Sequence, residues 1–145
     1  MRRLLTGRAG WLGRLPAPLL LAFIWSGAVV AHHSFANIYD TAQSLSLTGT
    51  VREFLFVHPH PILVVEVQNE AGKRQTWRAE MDNRYELQDI GVTVDTFRPG
   101  DLVIVSGSPG RDQPNILYLW RLDRPADGLR YQQVGSTPSL TKEPR

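Results

Sequence analysis

Cysteine is absent from this 145-residue chain. Disulfides, zinc–thiolate sites and thiol nucleophiles are therefore all excluded. Acidic residues are missing from the first 39 positions, where Arg2, Arg3, Arg8 and Arg14 carry all the charge. No apolar run has the roughly 20 residues that a bilayer-spanning helix needs. The stretch "LLLAFIWSGAVV", Leu19 to Val30, stops at 12. A large excess of one charge is missing too: 16 basic residues stand against 14 acidic ones. Without the four early arginines the balance is 12 against 14. No basic surface of the kind that nucleic acids require is left, so no nucleic-acid partner is expected. Histidine is scarce, with four in the chain, and these fall into two tight pairs: His32 with His33, and His58 with His60.

The basic start and the short apolar run read as a secretory signal peptide over residues 1–31. Ala31 stands where the cut is expected, with Val29 two places before it, so His32 becomes the first mature residue. Cleavage after Ala28 and an uncleaved anchor are the alternatives. The Arg2-Arg3 pair is a weak hint of twin-arginine export. A cleaved leader implies the periplasm and no stable membrane span afterwards. The oxidising periplasm permits disulfides, yet this chain has none to use, so its fold must rest on its core.

The mature chain reads as an arm over residues 32–44, a β-domain over 45–124 and a flexible tail over 125–145. "LSLTGTVREFLFV" is a long β-branched and aromatic run, with Gly49 marking a bulge or bend. "PILVVEVQ" follows as a second strand, and "NEAG" is a turn. "KRQTWRAEM" alternates Gln75, Trp77, Ala79 and Met81 against Arg74, Thr76, Arg78 and Glu80, the period of a half-buried strand. "DNRYELQDIG" reads as a short helix with Asp82 as N-cap, Tyr85, Leu87 and Ile90 on its buried side, and Gly91 as its stop. "RPGD" is a turn, and "LVIVSGS" and "NILYLWRLD" are the fourth and fifth strands. Three strands, a short helix and two strands is the order of the five-stranded OB-like barrel. Small β-sandwiches and other barrels share that order. Phe35 and Tyr39 are expected to pin the arm to the barrel.

"AHHSFANIYD", "LTGTV", "HPHPILVVEV" and "RPGDLVIVSGSPGRD" together resemble an uncharacterised family of small exported proteobacterial proteins. That family carries a His-His-Ser-Phe-Ala mature start, Gly-Thr-Val, Asn-Pro-His and a Pro-Gly-Asp turn. The resemblance covers most of Ala31 to Asp112. This chain departs from it at His58, where the family usually has Asn, while His60 falls on the matching histidine. The family has no established activity, so the resemblance implies an exported location and a residue pattern.

Two functions fit. The first is a periplasmic divalent-metal module using His32, His33, His58 and His60. A first-residue histidine offers its α-amine and its ring together. Pro59 and Pro61 favour an extended "HPHP", in which His58 and His60 project to one side. Imidazoles and an amine suit Cu(II) over Zn(II), with Asp40 or Glu80 as a further ligand or as an acceptor for an imidazole N–H. The second is a non-metal interaction module binding a protein or small ligand through the barrel's loops. No protein partner is named by the sequence. No enzyme is expected: Ser34 lacks a strand–turn–helix elbow, Glu53 and Glu80 are strand carboxylates, and no nucleophile–base–orienter set is present.

Overall fold

The computed structural model describes residues 35–135 and 137–143. The chain forms β1 (Leu45–Leu55), β2 (Ile62–Gln68), β3 (Arg74–Glu80), helix α1 (Arg84–Asp89), β4 (Leu102–Pro109), β5 (Ile116–Arg124), β6 (Leu129–Val134) and β7 (Thr137–Lys142). Neighbouring strands pair in the order β3-β2-β1-β4-β5-β6-β7, and a further β3–β5 pairing closes the first five into a barrel. That closing pair is parallel, whereas all other strand pairs are antiparallel. The expected five-stranded barrel, with one short helix between β3 and β4, is what forms. Among the described residues, no helix is long and apolar enough to cross a membrane.

Alternation produces the barrel wall. In β3, Ala79 is buried and Gln75 and Trp77 are half-buried, while Arg74, Thr76 and Arg78 face outward. Val51, Leu63, Val65, Val103, Leu117 and Leu119 fill the interior. Gly49 is not the bulge expected from the sequence; the register slips at Arg52, between Val51 and Glu53. Gly49 is needed for close approach instead. A Cβ there would lie 2.5 Å from the Glu66 carbonyl oxygen and 2.6 Å from Val65 Cγ1.

The helix begins one residue later than the sequence suggests. Asn83, not Asp82, is the N-cap, and its side chain accepts from the Tyr85 N–H at 2.8 Å. Leu87 is fully buried and anchors α1, but Tyr85 is exposed rather than packed. Six residues cannot hold a helix in isolation, so Leu87 and the cap carry it. Gly91, with φ of 89°, ends it as expected.

The largest departure is the tail. In place of the loose segment expected there, β6 and β7 form a hairpin on β5. Leu129 and Tyr131 alternate inward and join the core, which gives β6 its reason to fold. Arg124 clips the hairpin down. Its guanidinium donates to the Thr96 carbonyl at 2.6 Å, to Asp101 at 2.7 Å and to Asp127 at 2.9 and 3.0 Å. The clip ties the Pro-Gly-Asp turn to the β5–β6 turn. Arg124, and secondarily Lys142, hold the Asp127 carboxyl well below the usual carboxylate range.

At the other end the arm docks, as Phe35 and Tyr39 suggested. Residues 35–38 are helical, and Tyr39 bridges to Gly110. The Arg111 N–H donates to the Ile38 carbonyl at 2.8 Å, and the Asp40 N–H to that of Pro109 at 2.8 Å.

Candidate functional site

His32 and His33 lie outside the described residues. His58 is exposed, and its ring centroid stands 4.7 Å from that of Tyr85. His60 Nδ1 lies 3.1 Å from the Met81 carbonyl. That oxygen can only accept, so Nδ1–H is the donor. Nδ1 also lies 3.8 Å from Glu80 Oε1. The "HPHP" segment is not extended. Residues 58–60 form a bend, and the His58–Pro59 bond is cis. The two imidazoles end against different partners, His58 against the Tyr85 ring and His60 against the Met81 carbonyl. Asp40 is occupied elsewhere, paired with Arg111 at 3.3 Å and accepting from Gln43 at 2.8 Å. Glu80 accepts the Tyr39 hydroxyl at 2.5 Å. Among the described residues, no three His, Asp or Glu side chains gather as a metal-holding group.

A different site lies at a fork in the sheet. One edge of β5 is shared by two partners. β3 pairs with Ile116, Leu117 and Tyr118, and β6 pairs with Arg121 through Arg124. Leu119 and Trp120 fall between them. On the opposite edge, β4 skips Trp120 as well, since Ser106 pairs with Arg121 and Gly107 with Leu119. Gly107 is obligatory there, because a Cβ would stand 1.8 Å from the Tyr118 carbonyl oxygen. Trp120 is thus a bulged residue, and a bulge re-aims its side chain.

Below the fork is a cleft of about 370 Å³, lined by Phe35, Asp82, Glu86, Tyr118, Trp120, Gln133 and Gly135. The arm supplies Phe35, whose ring meets Tyr118 edge-on at 4.5 Å. Tyr118 and Trp120 meet at 6.2 Å, nearly perpendicular. The Trp120 indole N–H donates to the buried Ser108 hydroxyl at 3.1 Å, which fixes the ring. Gln133 is 4% exposed and ties the fork together. Its amide N–H donates to Asp82 and to the Gly135 carbonyl, and its carbonyl accepts the Tyr131 hydroxyl at 3.0 Å. Asp82 also accepts from the Asn83 N–H at 2.7 Å, so its carboxylate is held at both oxygens.

The cleft is acidic. Among the described residues, no lysine or arginine lines it. Among the described residues, neither Asp82 nor Glu86 takes part in an ion pair. Desolvation and then the neighbouring Asp82 push the Glu86 carboxyl above its ordinary value. Burial and then the charges of Asp82, Glu80 and Glu86 push the Tyr118 phenol up, so it stays a neutral donor. Carboxylates beside fixed aromatic faces attract cations and repel anions.

A second hollow, of about 500 Å³, is lined by Phe56, Arg84, Gln88, Val92, Thr93 and Val94. Here the chain supplies its own cation, with the Arg84 guanidinium carbon 4.8 Å from the Phe56 ring centroid.

The cleft does not show in the sequence. Local signals assign Asp82 to a helix cap, Tyr118 and Trp120 to the barrel wall, and Gln133 to the tail. Alternation at Leu129, Tyr131 and Gln133 is the signal that would have shown β6.

The model of a family of unknown function (DUF6152) matches residues 21–116. No curated protein matches the chain. Among solved structures, the crystal structure of a complex of TiaS with an isoleucine tRNA and ATP is similar at 16% identity and a TM-score of 0.40. The likeness covers 74% of this chain and 30% of that one, too slight to bear on ligand or activity.

Proposed function

The chain belongs to that family of unknown function, and we propose that it is an exported binding module that takes a small ligand in the cleft at the strand fork. Export is supported by the four leader arginines and the short apolar run before Ala31. Binding is supported above all by the fixation of the cleft. Four separate parts of the chain converge on it: the arm, the start of α1, β5 and β6. Gln133 and Ser108 hold its polar and aromatic walls in place before any ligand arrives. Its volume lies at the small end of ligand pockets, which run from about 300 to 1,000 Å³.

The test begins with the mass of the protein recovered from the periplasm, which reports the cleavage site. The recovered protein is then titrated with fractionated periplasmic small molecules, and its amide and indole resonances are followed. Saturable shifts centred on Tyr118, Trp120 and Gln133 are expected. Shifts confined to other faces would overturn the reading, as would none at all.

Copper or zinc binding through His32, His33, His58 and His60 is the second reading. It is favoured by one contact, His60 beside Glu80 at 3.8 Å. One-to-one Cu(II) binding that weakens as pH falls through about 6.5 supports it. So does loss of that binding when a residue is added before His32.

A further inference from the structure

We propose that the ligand of the fork cleft is a small organic amine, bound in its protonated form with its N–H groups on Asp82 and Glu86 and its charge over the rings of Phe35, Tyr118 and Trp120. This rests on the cleft being a ligand site, as proposed above. Two hollows beside α1 both pair an aromatic wall with polar groups, and they differ in where the cation comes from. In the hollow at Phe56 the chain provides Arg84. In the fork cleft it provides two carboxylates and, among the described residues, no lysine or arginine. A cation over an aromatic face gains roughly 0.5–2 kcal/mol, more as water is removed. A charge-assisted bond to a carboxylate adds to that.

Other ligand classes fit less well. An anion meets Asp82 and Glu86 directly. A neutral apolar ligand would strip water from both carboxylates and give them no donor in return. A divalent metal is usually held by more side-chain ligands than two carboxylates, and among the described residues no three His, Asp or Glu side chains gather to hold one. A quaternary ammonium satisfies the rings but has no N–H for the carboxylates. An amine satisfies both. Asp82 is held by the buried Gln133, so it meets the amine without first being ordered. Glu86 stands on the exposed face of α1 at the rim, where it can close over the ligand.

Calorimetry on the full processed protein at pH 7 tests this, with putrescine as the probe. Tetramethylammonium, n-butanol and succinate are the comparisons. Saturable one-to-one putrescine binding is expected, at least tenfold weaker in Glu86→Gln and lost in Glu86→Lys, whose ammonium takes the ligand's place. Because Glu86 is exposed, both variants should fold, and an unchanged far-UV spectrum checks this. The Trp120 indole resonance should move with putrescine and not with n-butanol or succinate. Absent binding, or equal binding by Glu86→Gln, overturns the inference. Tetramethylammonium binding as tight as putrescine also overturns it, since the N–H contacts would then be idle. A neutral or acidic periplasmic compound that shifts Trp120 would sink the amine and leave the binding module standing. If no compound of any charge moves Trp120, both fall.

Discussion

Residues of α1 face two hollows, and the chain treats them differently. On the side of Arg84 and Gln88, the guanidinium lies over Phe56, so the chain supplies the cation itself. On the side of Glu86, aromatic rings and carboxylates are brought together with no basic side chain among the described lining residues. Arg84 also reaches its place at some cost, since its Nε is buried with no hydrogen-bond partner. The same short helix therefore carries a cation over a ring on one side and carboxylates beside rings on the other. An aromatic wall alone does not mark a binding site; what its polar neighbours lack is the more useful sign.

The comparison can be broken most severely at the anchor common to both sides. Leu87 is fully buried, and Leu87→Ala should cost about 2–5 kcal/mol, read from the urea midpoint. Resonances around both hollows should shift together. A cost near zero would mean that α1 is held by something other than its core contact.

Gln133→Leu strikes the cleft alone. It leaves the Tyr131 hydroxyl without its acceptor and removes a donor from Asp82, so about 1–3 kcal/mol should be lost. Resonances of Phe56 and Val94 should stay in place. Movement at both hollows would show that they are coupled through α1.

Arg84→Met strikes the other side. It removes the cation over Phe56 and also an unpartnered buried Nε. The two effects oppose, and the stability change should stay within about 1 kcal/mol. Putrescine binding should be unaffected. If it weakens more than twofold, the two hollows are not independent.

The smallest effect is in pH dependence. The Glu86 carboxyl is raised by desolvation, by Asp82 and by Asp89, and lowered by His60. A raised carboxyl binds its proton more tightly in the folded state, so its contribution to stability rises as pH falls into the range just above the ordinary carboxylate value. Asp127 has the opposite sign: its stabilisation is present above that value and is lost as pH falls below it. Wild type alone therefore mixes the two. The difference between wild type and Glu86→Gln isolates Glu86. Glu86→Gln should melt slightly higher at pH 7, and the gap should close as pH approaches about 4. A constant gap would show that Glu86 does not sense Asp82.

The barrel was legible because its signals are local and repeated. Alternation in Gln75, Trp77, Ala79 and Met81, the Pro-Gly-Asp turn and the Gly91 stop each act within a few residues. The docked arm was legible from Phe35 and Tyr39 for the same reason. The cleft was not, because it is built by register. Nothing local says that β3 leaves β5 at Tyr118 and that β6 joins at Arg121. Nor does anything local say that Asp82 and Gln133, 51 residues apart, will bond. Pro and Gly around 125–128 suggest looseness, whereas they form the tight turn that Arg124 clips. The histidine pairs draw attention by composition, yet His58 and His60 end against Tyr85 and Met81.

The family match ends at Ile116, while Tyr118, Trp120 and Gln133 follow it. The divided edge of β5 has a consequence for how such a cavity changes over time. Its width is set by how many residues separate the strand that departs from the strand that arrives. Moving the hairpin's point of attachment by one pleated pair would resize the opening and leave the closed wall intact. The size of that opening is then adjustable by register at a single strand, without redesign of the interior.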